Sequence, residues 1–383
     1  MRILTAGESH GKAETAILEG FPKGVKIEEN IVNSELKRRQ SGYGRGKRMQ
    51  IEADTCEILS GVRNKITLGS PIAVLVNNHD ARIFAGSNDN QPELVVPRPA
   101  HADLAASLKY GDRDIRNFLE RASARETAAR VCAGSLCKQF LANFNIKIVS
   151  FTVSVGRVES KIKPENIEEI IKKTNLSQLN CIDRAKEKLM LREIDKADKN
   201  LDTLGGVVEV WLAGACPGIG SFMHWDSRLD AKIAGALMSI PAIKGVEIGL
   251  GFAYAKCFGS VSHDQIFYSP VRGFYHKTNN SGGIEGGITN GESIKARIAM
   301  KPIATLRKPL SSVNLITKKS AKANIERSDI CAIAACGVIA ESKMAIAVTE
   351  SFLEKFGVDS LREIKANYHN YLMRLRFSQA RRA

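Results

Sequence analysis

Two histidines stand where a side chain does chemistry more readily than it packs. His10 lies in Gly7-Glu8-Ser9-His10-Gly11, close behind a strand-like Met1–Leu4. Glycine on both sides lets backbone approach a ligand closely, and an imidazole there can move a proton near neutral pH. A solvated loop histidine would carry the same local pattern. His101 lies in Pro97-Arg98-Pro99-Ala100-His101-Ala102-Asp103. The prolines stiffen the chain around Arg98, and Asp103 is near enough in sequence to orient the ring. A plain surface turn would read alike.

Other segments read as anion sites. Glu120-Arg121-Ala122-Ser123-Ala124-Arg125-Glu126-Thr127 opens a helix, with Ser123 and Glu126 spaced as a capping box ahead of an apolar-periodic run. Arg121 and Arg125 oppose the positive end of that helix unless an anion sits between them and the N–H groups. A network with Glu120, Glu126, Asp112 or Asp114 is the plainer alternative. Lys37–Arg48, KRRQSGYGRGKR, is a basic loop behind a short helix predicted at Ser34–Arg39. Ser281–Gly291 holds five glycines in eleven residues, more than a hairpin needs, as if backbone lay flat on a bulky planar or phosphorylated ligand. Lys301-Pro302-Ile303-Ala304-Thr305 ends the next strand with a cation and a hydroxyl. Arg327-Ser328-Asp329 opens an apolar helix with Ser328 or Asp329 as N-cap. All these residues fall on loops or element ends, the pattern of one concave site assembled from many segments.

Several chemistries are not written here. There is no G-x-x-x-x-G-K-[ST], no H-E-x-x-H or tight His cluster, and no G-x-S-x-G. Gly249 and Gly251 lack the third glycine of a dinucleotide fingerprint. The 383 residues carry 56 Lys and Arg against 41 Asp and Glu, a net charge of +15 that calls for an anionic partner. With 44% hydrophobic and 25% charged residues, a wholly disordered or collagen-like chain is excluded. The longest apolar candidate, Ile330–Ala340, is too short to span a membrane, and the N-terminus has no signal-peptide core, so a soluble cytoplasmic protein is expected. The eight cysteines form no C-x-x-C pair and read as reduced and structural.

The elements that must position these residues fall into three regions. Residues 1–145 hold most of the motifs. Residues 156–204 read as two charged, amphipathic peripheral helices without chemistry. Residues 205–350 mix strands (GGVVEVWLAGA, ESIKARIAMKPI) with helices (LDAKIAGALMSI, then one or two buried helices over 328–356). An amphipathic helix closes the chain at SLREIKANYHNYLMRLRF. No steady βαβ rhythm, repeat or long linker appears.

Taken together, TAGESHG, RRQSGYGRGKRMQIEAD, PRPAHADLA, KYGDRDIRNFLERASARETAARV, IPAIKGVEIGLGF, GGIEGGITNGE, KPIAT and RSDICAI carry a resemblance. The chain resembles the chorismate synthase family over essentially its whole length. It departs at Ala100, where the family usually has Gly, and matches poorly around 156–204. The resemblance implies an α+β fold, a single-domain β-α-β sandwich over 1–383, assembled as a homotetramer. It implies a lyase of the shikimate pathway to aromatic amino acids. The reaction is the anti-1,4-elimination of phosphate from 5-enolpyruvylshikimate 3-phosphate, giving chorismate, and it needs reduced FMN (FMNH2) without net redox change. No extra domain is evident for reducing flavin with NADPH, which favours an external flavin reductase. By the same resemblance His10 protonates the leaving phosphate, His101 faces the pyrimidine side of the flavin, and Asp329 tunes or relays the proton at flavin N5. Ser9, Arg39, Arg45, Arg48, Arg98, Arg125 and Arg327 are expected on the substrate. Arg121, Ala122, Ser123, Ala242, Gly286, Lys301, Pro302, Ile303, Ala304, Thr305 and Arg327 are expected on the cofactor. No metal is expected.

A basic nucleic-acid-binding protein is the rival. It fits the sum of the charges, the KRR…RGKR loop and the tail Arg374–Arg382. It leaves the two His motifs and the Gly-rich loop unexplained, and no recognition helix or stacking platform is legible.

Overall fold

The computed structural model describes residues 1–46, 53–79, 81, 92–326 and 328–380. Near the N-terminus lie β1 (Arg2–Gly7), β2 (Ala13–Glu19), α1 (Glu29–Gln40), β3 (Cys56–Ile58) and β4 (Ile72–Asn77). Then come α2 (Asp103–Tyr110), α3 (Thr127–Ala142), β5 (Lys147–Val155), β6 (Val158–Glu159), α4 (Ile167–Thr174) and α5 (Arg184–Lys199). The last third adds β7 (Gly206–Ala213), α6 (Leu229–Met238), β8 (Ile243–Ile248), β9 (Ile294–Met300), α7 (Ile333–Phe356) and α8 (Leu361–Ala380).

Two antiparallel sheets sandwich the apolar helices. One has the order β1-β2-β4-β3 and the other β8-β9-β7-β5-β6. In β2 every second residue, Ala16 and Leu18 among them, turns inward, and in β9 Ile294, Ala296 and Ile298 do the same. That period-two alternation gives each sheet one face for the helices. α3 packs on β2 and β4, α7 packs on β5 and β7, and the two helices pack on each other. Both are buried nearly all round, as a middle layer requires. Gly134 allows the close crossing, since a Cβ there would fall 2.3 Å from the Ser342 side chain. Phe140 touches the rings of Phe21, Phe144 and Phe352 in the core. Full burial of such a side chain contributes about 1.5–3 kcal/mol.

A buried ion network also crosses the layers. Glu341 in α7 accepts from Arg38 of α1, Lys138 of α3 and Ser150 of β5. Burial pushes its carboxyl up, but the cations of Arg38 and Lys138 outweigh that and hold it at about 2. The network pins the end of α1 that leads into the basic loop.

Several local expectations change. α1 runs from Glu29, not Ser34, and the apolar stretch after Cys331 is one helix, not two. That helix starts at Ile333, so neither Ser328 nor Asp329 caps it. Ser123 does cap, accepting from Arg125 N at 3.3 Å, but it opens a short 3-10 turn, Ala124–Glu126, ahead of α3. The Glu126 carboxylate pairs with Arg130 instead of closing a capping box. All eight cysteines are free thiols. Seven are buried, whereas Cys257 is exposed and so is no part of the core. Among the described residues no helix is long and apolar enough to cross a membrane.

Candidate active site

β1 ends at Gly7 and delivers the His10 loop to one edge of the first sheet. Asn78, just past β4, donates to the Glu8 and Gly11 carbonyls at 3.0 and 2.9 Å, so both ends of the loop are held. Ser9 is buried, and its N–H donates to the Glu120 carbonyl. The Glu120 carboxylate takes the His10 backbone N–H at 3.0 Å and faces Nδ1 at 2.9 Å. A carboxylate at that nitrogen fixes the tautomer with the proton on Nδ1.

The turn that supplies Glu120 also supplies Arg121, Ala122, Ser123 and Arg125. Arg121 is half-exposed and donates to the Thr5 and Gly7 carbonyls. Arg125 is buried, with Nη1 at 2.7 Å from both Asp54 oxygens and Nε on Asn78. Arg39 reaches in from α1, pairs with Asp54 at 3.4 Å and donates to Thr127 and the Ala124 carbonyl. Burial lowers its guanidinium to about 10, despite Asp54. Asp54 therefore joins two like charges that would otherwise repel.

The second histidine belongs to a tight triad. Arg98 grips Asp103 with Nε and Nη2 at 2.8 and 3.1 Å, and His101 Nδ1 lies 2.5 Å from the same carboxylate. Burial pushes the Asp103 carboxyl up, but the hydrogen bonds from His101 and Arg98 win and hold it well below the ordinary value. Arg98 Nη1 continues to the Thr305 hydroxyl, and Ser328 Oγ donates to the Thr305 carbonyl. Lys301 donates its ammonium to the Ala100 carbonyl at 2.7 Å and its backbone N–H to Ala242. Burial lowers the Lys301 ammonium. Pro302, Ile303 and Ala304 form the link between them, with the Ile303 carbonyl accepting from Thr203.

Asp329 closes the chain of contacts. Its two oxygens take Gly46 N and Arg45 Nη1, each at 2.6 Å. This pairing draws Asp329 away from the helix it was expected to cap. Arg39 feels both Arg45 and Asp329 electrostatically, so the basic loop sits next to the Asp54 pair. Gly7–Gly11, Pro97–Asp103 and Ser328–Asp329 thus belong to one linked assembly. Arg48 and Arg327 lie outside the described residues.

Gly286 stands apart. It tops a short hairpin, Ile284–Thr289, whose neighbours are Gly220, Ser221 and Arg228. A Cβ at Gly286 would meet no heavy atom within 4 Å, which leaves room above the turn for a flat ligand. The half-exposed Arg121 and the Lys301 ammonium are cations of the kind that suit a phosphorylated cofactor, and the room at Gly286 lies apart from both. Among the described residues no His/Cys/Asp/Glu group could hold a metal ion.

Sequence spacing missed the acidic half of the site. Asp54 and Asn78 lie far along the chain from the arginines and loop they hold. Glu120 was legible only as a possible partner of an arginine, not as the partner of His10. The expected ligand arginines Arg39, Arg98 and Arg125 are themselves drawn into these internal pairs.

The family model described as chorismate synthase matches residues 1–353. The chorismate synthase of Carboxydothermus hydrogenoformans is 50% identical over 377 residues, covering 97% of this chain and 98% of the relative. That of Sulfurihydrogenibium sp. is 51% identical over 384 residues, with 97% and 98% covered. A solved structure titled "Crystal Structure of Chorismate Synthase" superposes with a TM-score of 0.81 at 42% identity, covering 98% of each chain. Sequence, fold and the linked histidine–arginine assembly converge: this chain belongs to the chorismate synthase family.

Proposed function

We propose that the assembly converts 5-enolpyruvylshikimate 3-phosphate into chorismate and phosphate, with reduced FMN bound beside the substrate. The observation that carries this reading is the run of contacts that ties the His10–Glu120 loop through Asn78 and Arg125 to Asp54 and Arg39. Arg39 is coupled electrostatically to Arg45 and Asp329, whose neighbour Ser328 reaches the Arg98–His101–Asp103 triad through Thr305. The chain is a lyase, and the nucleic-acid reading has no support.

Substrate and flavin together bring about five to six negative charges. One ion pair at about 4 Å is on the order of 4 kcal/mol at an effective dielectric of 20, before desolvation. Ser9 with Arg39, Arg45, Arg48, Arg98, Arg125 and Arg327 is assigned to the substrate side. Asp54, Asp103 and Asp329 keep the Arg39, Arg125, Arg98 and Arg45 guanidinium groups rigid, and the excess of cations in the chain leaves a positive field for the ligand. Arg121–Ser123, Ala242, Gly286, Lys301–Thr305 and Arg327 are assigned to the cofactor.

When bound, reduced flavin would lend electron density as the C–O bond breaks at one end of the substrate and recover it as the C–H bond breaks at the other, with no net redox change. His10 keeps its Nδ1–H on Glu120, so only the doubly protonated imidazolium carries a proton on Nε2, and that proton is the one assigned to the departing phosphate. His101, locked by Asp103, is assigned to the pyrimidine side of the flavin, where it would stabilise the reduced form. Asp329 is assigned to tune or relay the proton at flavin N5. We further read residues 1–383 as one domain, working in the cytoplasm as a homotetramer. An external reductase keeps its flavin reduced.

The test is anaerobic turnover with dithionite-reduced FMN and substrate. Chorismate and phosphate should form in equal amounts, with no net flavin oxidation. His10→Ala and His101→Ala should each lower kcat by about 10²–10⁴-fold with the fold intact by circular dichroism. Near-normal turnover in both variants refutes the assigned roles.

A further inference from the structure

Glu14 is an acid that the chemistry above does not use. It lies in β2 between Gly7 of β1 and Val76 of β4. The residue is wholly buried, and neither carboxyl oxygen has a hydrogen-bond partner. An ionised carboxylate so placed is costly. The carboxyl lies directly against the first glycine of the His10 loop, for a Cβ at Gly7 would fall 2.5 Å from Oε2. Arg121 Nη1 lies 4.0 Å from that same oxygen. The other charges near it are Glu8 after β1, and Arg125 and Glu126 on the 3-10 turn. Burial pushes the carboxyl up to about 7, against the pull of Arg125 and Arg121 and with help from Glu126 and Glu8.

We propose that Glu14 is a positioning residue for the anion grip of Arg121. As a neutral acid it leaves the guanidinium to an anionic group of the ligand. As a carboxylate it claims the guanidinium for itself. Ligand binding above neutral pH then draws one proton from solvent onto Glu14. The inference rests on the reading of Arg121 as a ligand-facing cation and deepens it.

The test is titration of the ligand-free enzyme with oxidised FMN at pH 6 and pH 8, followed by flavin fluorescence, for wild type and Glu14→Gln. The ratio of wild-type to variant Kd cancels titrations that both proteins share, such as the FMN phosphate and the histidines. If only the neutral acid permits binding, that ratio rises about tenfold between the two pH values. Glu14→Met, also uncharged, should match Glu14→Gln, which guards against a misfolded variant. A second measurement needs no ligand. The folded carboxyl sits above its ordinary value of 4.5. Wild type should therefore lose stability relative to Glu14→Gln as pH rises from 4.5 through about 7, and denaturant unfolding reads this. A flat Kd ratio, or an unfolding difference that does not grow with pH, overturns the proposal. Absence of FMN binding by both proteins at both pH values overturns it together with the flavin site, and is told apart because no ratio can be formed.

Discussion

At the residue scale, Ala100 shows how this site is held under strain. It adopts φ 63°, the left-handed region that glycine occupies freely and alanine does not. Its carbonyl receives the Lys301 ammonium, so the unusual backbone is tied to a residue of the proposed cofactor segment. Left-handed alanine costs about 1–2 kcal/mol, partly offset by the greater freedom that glycine has when unfolded. Ala100→Gly should therefore stabilise the protein by about 1 kcal/mol in urea unfolding and leave flavin binding intact. A destabilised variant would mean that the Pro97–Asp103 turn depends on the alanine methyl. This scale also marks what the sequence could and could not say. His10 and His101 were legible because glycine and proline around a histidine are local signals. The Glu120 and Asp54 contacts were not, because pairing across long stretches of chain depends on the fold. Glu14 was invisible for another reason: within β2 it occupies an inward position that alternation assigns to an apolar side chain.

At the element scale, the charged region 156–204 was expected to hold peripheral helices and no chemistry. The helices are there, with Asn166 and Asp183 as N-caps, but α5 also braces the basic loop. The Tyr43 hydroxyl donates to Asp195 at 2.6 Å, and Arg307 pairs with Asp198. Gly44 meets Ile194 and Cys331 so closely that a Cβ would fall within 3.1–3.3 Å of each. The loop carrying Arg45 is thus clamped between α5 and the start of α7. Charge pattern alone reveals an amphipathic surface helix but not which loop it touches. Tyr43→Phe removes one hydrogen bond, worth about 1 kcal/mol. It should raise KM for the phosphorylated substrate about five-fold while changing kcat less, because Arg45 would be less well placed but no proton-transfer group is lost. Steady-state kinetics with reduced FMN checks this, and an unchanged KM would leave α5 a purely structural helix.

At the scale of the whole molecule, the layered plan of two half-buried antiparallel sheets around two largely buried helices was legible through the family resemblance, not through the strand and helix patterns, which gave both kinds of element without an order. What remains exposed calls for something further. Phe222, Met223, Trp225, Phe252, Phe258, Val261, Val271 and Phe274 are each more than 60% exposed, and all fall within one stretch of the chain. Single surface apolar residues are ordinary, and we propose that this concentration along the chain serves an interaction surface. The proposed homotetramer supplies the occupant, a second copy of the chain. Gly286 belongs with this argument, because its hairpin packs against Gly220 and Ser221 at the near edge of the same stretch. Burying one large aromatic contributes about 2–3 kcal/mol. In a closed assembly each substitution is repeated at every copy of the interface. Trp225→Glu combined with Phe258→Asp should therefore lower the sedimentation coefficient toward that of the protomer, with helix content by circular dichroism unchanged, since neither side chain touches the core. FMN affinity should fall in step with dissociation if the Gly286 hairpin needs its neighbour to reach the ligand. A double variant that still sediments as wild type would remove this surface from the assembly, and a wild type that sediments as a protomer would remove the tetramer itself.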